Sequence, residues 1–477
     1  MKIGIINSKI LHRSGSGYRI DPDVHLSEGV QAREKLARSP YGLSTVGENA
    51  SQVFLGNIFS RVFVKDKEHG MPYLAASDTV LANIETGRFL SKKQAKTLKK
   101  LILKKDLILI TCSGTLGNVT YTNKTFENHI ATHDLIRVVP NDNKVNKGTL
   151  YAFLSGKYGY NQITQSQFGG VVKHINDVQT KAVLVPIFPR QLQESVETLI
   201  QDSAKLREEA TLQLTSARSL LFHKTNLRHL TTEDYNYFGP RDYKREVSSF
   251  IVNKQSISTT SFHAFNYSER MRNTLKMLNS CECITLSEAL DSNMLQTPSS
   301  VEVNELPNGK GIELINQKDI FDVVVKGKWI AKKKKISSDL LEYGQLLIAK
   351  IGTLGESESF CCSVFVGEEL TNKLVSAAFI KLSTNKNVPS GYLYTWISSE
   401  YGFRYLRHIH FGTKLCYPNP KLLLEMPVPI IDNDSMQEID RLVREAHTKR
   451  YQANCYERKA ISMIEEEIES WTTSKKN

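Results

Sequence analysis

The chain has 477 residues, and its 62 lysines and arginines exceed its 50 aspartates and glutamates by 12. This length predicts several domains, and the positive charge favours a polyanionic partner such as nucleic acid. No run of about 18 apolar residues occurs, which excludes a membrane-spanning helix. The start of the sequence is a poor signal peptide, and the seven cysteines lack disulfide-like spacing, so we expect a protein of the reducing cytoplasm.

The first part of the chain, residues 1–187, predicts a mixed domain of strands and helices. Short apolar or alternating runs are interrupted by glycine, proline and asparagine, a pattern typical of strands joined by turns. One apolar run, Leu107–Ile110, leads into a turn that contains Gly114 and Gly117. Glycine fits the positive φ of a tight turn, so these residues are interpreted as structural, with a close approach of the backbone to phosphate as the alternative.

A long helix is predicted over residues 188–230. From Leu192 onwards, mostly apolar residues recur at alternating spacings of four and three, which is the heptad pattern of a coiled-coil seam. A helix packed on its own domain is the alternative interpretation of that pattern. Residues 231–260 lack the pattern and contain Gly239-Pro240, so they are interpreted as a connector.

The second half of the chain repeats the order of the first. A glycine turn recurs at Gly352 and Gly355, 238 positions after its first copy. Residues 261–431 therefore predict a second mixed domain, and residues 432–477 predict a second long helix and a C-terminal tail. The predicted fold class is α+β: two mixed α/β domains, each followed by a long helix, with the two helices pairing as an antiparallel coiled coil in an internal two-fold repeat.

Two lysine-rich segments occupy equivalent places in the two halves. Residues 86–105 contain eight lysines or arginines and no acid, and residues 323–335 contain six and no acid. Lysines neutralise phosphates and supply affinity without sequence information, so these segments are candidate phosphate contacts, with a solvated surface as the alternative. The candidate phosphate contacts are Lys92, Lys93, Lys96, Lys332, Lys333, Lys334 and Lys335.

Reading of base edges requires side chains with paired donors and acceptors, such as arginine, asparagine and glutamine. Residues of this kind lie between a Tyr-Gly and a Phe-Gly pair in each half, and they differ between the halves. Two readers of different sequences would differ in this way, and so would two drifting loops. The candidate base readers are Asn161, Gln162, Gln165 and Gln167 in the first half, and Arg404, Arg407, His408 and His410 in the second.

Motifs of intrinsic catalysis are absent from the sequence. It contains no P-loop, no dinucleotide-binding glycine pattern, no nucleophile elbow and no adenine-methyltransferase tetrapeptide. Cys281-x-Cys283 and Cys361-Cys362 have the wrong spacing for zinc. We therefore predict no catalytic residue, metal site or cofactor in this chain.

Together these features resemble the specificity subunits of type I restriction-modification systems, over nearly the whole chain. The resemblance rests on the duplicated order of domain and long helix, and on an apolar run that leads into Gly-Thr-x-Gly in each half. It also rests on proline-rich leads into helices that start with Gln193-Glu194 and Gln437-Glu438. These helix entries depart from the commoner proline-proline-leucine-x-Glu-Gln form, so the subfamily is left open.

The resemblance implies a non-catalytic DNA-binding subunit that recognises a bipartite target through two target-recognition domains. It implies as partners double-stranded DNA, two adenine-N6 methyltransferase subunits that bind S-adenosylmethionine, and restriction subunits that use ATP and Mg2+. One alternative is the specificity subunit of a standalone methyltransferase or of a related phage-defence complex. A protein-binding adaptor and a nuclease with a degenerate metal site are further alternatives.

Overall fold

The computed structural model describes residues 27–65, 67–165, 174–231, 234, 249–292, 294–300, 303–331, 339–354 and 359–471. The chain divides into two compact units. Unit 1 comprises Met1–Glu208 and Gln452–Asn477, and unit 2 comprises Glu209–Tyr451. Both units mix helices and strands, which confirms the predicted α+β class.

The strands of unit 1 form two four-stranded sheets and one two-stranded sheet in the described part of the chain. They are β1 (Leu43–Thr45), β2 (Ala50–Phe54), β3 (Phe63–Val64), β4 (Gly70–Leu74), β5 (Phe89–Ser91), β6 (Ile108–Thr111), β7 (Val119–Tyr121), β8 (Ile130–Ala131), β9 (Leu135–Pro140) and β10 (Leu184–Pro186). The antiparallel sheet β2–β9–β6–β7 carries the main core, since every residue of β6 is buried. In the second sheet, β3–β5–β4–β8, only the pair β4 and β8 is parallel, and β1 pairs with β10.

The helices of unit 1 pack around these sheets. They are α1 (Glu28–Leu36), α2 (Lys92–Ala95), α3 (Lys147–Ser155), α4 (Lys157–Gln165), α5 (Asp177–Lys181) and the long α6 (Arg190–Thr225), which begins in unit 1 and ends in unit 2. Ser27 caps α1, because its hydroxyl accepts a hydrogen bond from the Val30 N–H at 3.4 Å. The corner between α3 and α4 requires Gly159, whose missing Cβ would lie 2.3 Å from the carbonyl oxygen of Phe153.

Unit 2 contains two three-stranded sheets and two two-stranded sheets among its described residues. Its strands are β11 (Cys283–Thr285), β12 (Ile312–Ile315), β13 (Lys328–Ile330), β14 (Leu346–Ala349), β15 (Ser363–Phe365), β16 (Leu374–Val375), β17 (Phe379–Leu382), β18 (His410–Phe411), β19 (Tyr417–Pro418) and β20 (Pro427–Pro429). The order β15–β14–β17 is antiparallel, and the order β13–β12–β16 contains one parallel pair, β12 with β16. The remaining pairs are β11 with β20 and β18 with β19.

The helices of unit 2 are α7 (Glu269–Leu278), α8 (Leu286–Ala289), α9 (Ser390–Ser398), α10 (Glu400–His408), α11 (Pro420–Leu424) and the long α12 (Asn433–Ser470), which begins in unit 2 and ends in unit 1. Ser268 caps α7, since its hydroxyl accepts from the Met271 N–H at 3.4 Å. At the corner of α9 and α10, a Cβ on Gly402 would lie 2.4 Å from the carbonyl oxygen of Trp396. No helix in the described ranges is both long and apolar enough to span a membrane.

Candidate nucleic-acid interface

The lysine-rich segment of unit 1 lies on α2 and in the turns that follow it. Ala95 and Leu101 are buried beside Leu90 and Ile130 of the β3–β5–β4–β8 sheet, and Leu98 packs against the same core, whereas the lysines around them face solvent. The exposed lysines within residues 92–100, which we call the lysine surface, are Lys92, Lys93, Lys96, Lys99 and Lys100. Their segment contains no acid, so this surface is suited to neutralise phosphates.

The second lysine-rich segment is described only in part. Lys332, Lys333, Lys334 and Lys335 lie outside the described residues. Lys326 and Lys328 are exposed, and Lys328 forms an ion pair with Glu305. Phosphate contact by the second segment therefore remains a prediction.

The first group of candidate base readers lies on α4 and beyond its end. Gln162 is fully buried, and its side chain exchanges two hydrogen bonds with the backbone of Leu184, at 3.0 and 3.1 Å, which joins α4 to β10. Gln165 is also buried, and its amide atoms have no hydrogen-bond partner among the described residues. Asn161 is half-buried, and Gln167 lies outside the described residues. Gln162 is thus a packing residue, because reading a base requires an accessible amide.

Arg407, in the second group, is also a packing residue. It is 1% exposed, and its guanidinium donates to the carbonyl oxygens of Leu354 at 3.1 Å and Phe360 at 3.3 Å. These two acceptors lie after β14 in the chain. Arg407 therefore holds the backbone at Leu354 and Phe360, and its buried donors are unavailable to a base.

His408 and His410 are buried beside Arg407. Burial lowers the pKa of His408 to about 3, and burial also lowers the pKa of His410, so both rings are neutral at neutral pH. The Asn266 side chain donates to the backbone carbonyls of both histidines. Arg404 is half-buried, with its guanidinium 5.4 Å from the centre of the Phe403 ring. Of this group, Arg404 alone keeps partial access to solvent.

The glycine turns differ between the two units. Gly114 and Gly117 have φ of +70° and +79°, the left-handed region that favours glycine. The turn is closed by Thr111, whose carbonyl oxygen accepts from the Gly117 N–H at 3.0 Å. At Gly352 the glycine instead allows the backbone to pass close to Phe360, since a Cβ there would lie 2.7 Å from the Cβ of Phe360. Gly355 lies outside the described residues.

One exposed feature was not predicted from the sequence. The loop between β2 and β3 carries Ile58 and Val62 with exposed side chains, and Phe63, the first residue of β3, is exposed beside them. In the sequence, Ile58-Phe59 and Val62-Phe63 look like parts of a buried strand, and only the folded environment distinguishes the two cases. No group of three or more His, Cys, Asp or Glu residues in the described part of the chain could hold a metal ion.

Residues 52–201 match a family model described as the type I restriction modification DNA specificity domain. No curated protein matches the chain. Among solved structures, the chain is similar to the S subunit of a type I restriction-modification system from M. genitalium, with 12% identity over 91% of this chain and 96% of that chain and a TM-score of 0.33. It is also similar to the HsdS subunit from Thermoanaerobacter tengcongensis, with 11% identity over 90% of this chain and 96% of that chain and a TM-score of 0.27. The segment matched by the family model includes the lysine surface and the Gly114–Gly117 turn.

Proposed function

We propose that this chain is the non-catalytic DNA-recognition subunit of a type I restriction-modification complex, because residues 52–201 match the model of the DNA specificity domain of such systems. In this role it recognises a bipartite DNA target and directs partner subunits to it. The observation that carries the proposal is that the matched segment contains an exposed lysine surface without an acid in its sequence. Such a surface supplies general affinity for the phosphate backbone.

A bipartite target requires two readers, and the two units are proposed to be copies of one reader. Equivalent contacts in the two units support this. The N–H of Gly148, in the first turn of α3, donates to Glu197 at 2.6 Å, and the N–H of Gly391, in the first turn of α9, donates to Asp440 at 2.7 Å. Donor and acceptor are 49 positions apart in both cases. A duplicated domain would conserve such a contact while its exposed side chains diverge.

The two long helices are proposed to pair as an antiparallel coiled coil. Buried residues recur every seven positions on both helices: Val196, Ser203, Ala210 and Ala217 on α6, and Ile439, Ala446, Ala453 and Ala460 on α12. Within unit 2, Gln213 contacts Glu445 at 2.7 Å and Lys224 contacts Asp432 at 3.0 Å. Residue numbers rise on one helix while they fall on the other, which supports the antiparallel direction.

Catalysis is assigned to partner subunits. The proposed partners are double-stranded DNA, two adenine-N6 methyltransferase subunits that bind S-adenosylmethionine, and restriction subunits that use ATP and Mg2+, in the cytoplasm. To modify an adenine, the methyltransferase must flip the base out of the duplex. It therefore needs a subunit that holds the DNA with the target adenine at the methyltransferase active site. This chain is proposed to hold it.

Genome-wide mapping of N6-methyladenine, with and without the gene for this chain, tests the proposal. We expect a split methylated motif that disappears when the gene is deleted. Exchange of residues 19–186 for the corresponding domain of a relative should change one half of the motif and leave the other half intact. A methylation pattern that is the same without the gene would refute the proposal. A change in both halves would refute the assignment of one reader to each unit.

A further inference from the structure

The loop between β2 and β3 of unit 1, together with the first residue of β3, exposes three large apolar side chains within six positions. Ile58 is 85% exposed, Val62 is 54% exposed and Phe63 is 48% exposed. Single exposed apolar residues are common on protein surfaces, but a cluster of them marks an interaction site. The apolar area left in water here is an energetic cost that a bound partner would remove.

The backbone of this loop is anchored, so its shape is defined before any partner arrives. The Val62 N–H donates to the side chain of Gln94 at 2.9 Å, and the Val62 carbonyl accepts from the Ser91 N–H at 2.8 Å. Arg61, between the exposed apolar residues, donates to the hydroxyl of Tyr73 at 2.6 Å. The backbone that carries Ile58 and Val62 is therefore ordered before binding, so less conformational entropy is lost when a partner binds.

The same contacts place the loop next to the lysine surface. Gln94, which binds the loop, lies on α2 between lysines of that surface, and the Lys92 ammonium donates to the carbonyl oxygen of Glu68 at 2.6 Å. The exposed cations on α2, at its C-cap and on the turn between β3 and β4 are Lys92, Lys93, Lys96, Lys65 and Lys67. The turn between β3 and β4 also carries acids, among them the exposed Glu68, whereas residues 92–100 carry only lysines as charges. An apolar loop beside such a lysine surface fits DNA better than a protein, because cores of protein interfaces are depleted in lysine, whereas phosphates require it.

We infer that this loop enters a groove of the DNA duplex, with Ile58 and Val62 against base edges and the lysine surface on the flanking phosphates. Apolar side chains that enter a groove can contact thymine methyl groups or separate a base step, while the neighbouring cations hold the backbone. This inference rests on the proposed function and deepens it, because it names the part of unit 1 that touches the bases. It assigns the base contact of unit 1 to an exposed loop instead of the buried side chain of Gln162.

The test compares Ile58→Ala with wild type and with Val178→Ala, each as the full chain. Val178 is 67% exposed in the same unit on α5, outside the lysine-rich segment, so it controls for the loss of an exposed apolar side chain. The probe is a 40-base-pair duplex that carries the methylated motif, titrated at several salt concentrations. We expect Ile58→Ala to weaken binding about tenfold with an unchanged salt dependence, because it removes apolar contact without removing charge. Val178→Ala should bind as wild type does.

The outcomes separate this inference from the proposed function. If wild type binds the duplex with a steep salt dependence and Ile58→Ala binds equally well, the groove contact is refuted and the proposed function stands. If Ile58→Ala keeps its DNA affinity but no longer assembles with methyltransferase subunits on gel filtration, the loop is a protein interface and the inference is refuted. If wild type binds no duplex and methylation is independent of the gene, the proposed function itself fails.

Discussion

His408 is a buried base in a basic environment. Its ring is fully enclosed on α10, and the charges of Arg270 and Arg404 oppose its protonation in addition to the loss of solvation. The pKa of the ring is lowered from 6.5 to about 3, so the folded protein holds it neutral. Unfolding exposes the ring and restores its ordinary pKa. The histidine therefore links the stability of unit 2 to pH.

We expect the free energy of unfolding of unit 2 to fall as the pH drops. A histidine with a lowered folded-state pKa stabilises the fold fully above pH 6.5 and loses that contribution as the pH falls towards 3. Between pH 7 and pH 5 the loss from His408 is about 2 kcal/mol. Urea unfolding followed by fluorescence suits the measurement, because Trp329 and Trp396 lie in unit 2.

The variant His408→Gln isolates this contribution, since an amide does not titrate in this range. We expect its urea midpoint to depend less on pH than that of wild type, whatever its absolute stability. An identical shift of the midpoint between pH 7 and pH 5 in both proteins would contradict the linkage. His447, buried in the same unit with a pKa lowered to about 3, titrates in both proteins and so cancels in the comparison.

The lysine surface yields a prediction about salt. The double variant Lys92→Gln/Lys93→Gln should weaken binding to every duplex and lower the slope of log K against log salt by about 1.8, because each phosphate contact contributes about 0.9. Lys181→Gln is the matched control, since Lys181 is an exposed lysine of the same unit that pairs with Asp177. Equal slopes for the double variant and wild type would show that these lysines do not contact phosphates.

At single residues, sequence alone identified the chemistry but not the exposure. Glutamine, arginine and histidine are the side chains that read bases, and the same side chains satisfy buried backbone groups. Gln162 binds the backbone of Leu184, and Arg407 binds that of Leu354, both far away in the sequence. These acceptors appear only once the chain is folded, so the pattern of polar residues could not distinguish packing from recognition.

Among the elements, the long helices depend on a buried ionic contact as well as on their apolar seam. Arg207 of α6 contacts Glu457 of α12 at 2.6 Å within unit 1, and the hydroxyl of Tyr151 donates to the same carboxylate at 2.6 Å. Both helix residues are largely withdrawn from water, with side chains 19% and 11% exposed. Removal of one charge leaves its buried partner without compensation.

We therefore expect Glu457→Gln to destabilise unit 1 by about 3 kcal/mol in urea unfolding. Glu466→Gln, an exposed change on the same helix, should alter the stability by less than about 0.5 kcal/mol. The triple variant Tyr151→Phe/Arg207→Met/Glu457→Met should recover most of the loss, because apolar residues can replace a buried ion pair and the hydroxyl that donates to Glu457 is removed with it. If Glu457→Gln were as stable as Glu466→Gln, the ion pair would make no contribution to the stability of unit 1.

Elements with a repeat in their own sequence could be predicted, whereas elements that depend on distant partners could not. The two helices were predicted because a repeat of four and three is visible in the sequence itself, and they run from Arg190 to Thr225 and from Asn433 to Ser470. The strands were predicted only as a class, since many are two or three residues long and their partners lie far along the chain. Parallel pairs such as β4 with β8 leave no periodic signature of their own.

On the scale of the whole molecule, the last helix completes the first unit. Ile464, Ile468 and Trp471 of the C-terminal segment join the core of unit 1, where Trp471 packs against Phe188. From the sequence, this helix follows the second domain. Its packing on the core of unit 1 could not be predicted, because a heptad pattern shows that one face of a helix is apolar but not which residues cover that face. Both long helices thus begin in one unit and end in the other.

Each long helix begins in one unit and ends in the other. If the proposed recognition of a bipartite target holds, we expect these helices to set the distance between the two half-sites, so their length can be varied to test it. Four residues inserted after Ala210 and four after Thr448, positions adjacent to the contact of Glu209 with Lys449, would lengthen both helices by ~6 Å each and roughly preserve their phase. DNA rises ~3.4 Å per base pair, so the unread gap in the methylated motif should grow by about one or two base pairs. The two recognition domains themselves are unchanged, so both half-sites should keep their sequences.

The measurement is the methylation motif produced by the lengthened chain with its partner subunits. A fixed gap would show that the helices do not set the spacing, and altered half-sites would show that the helices take part in reading.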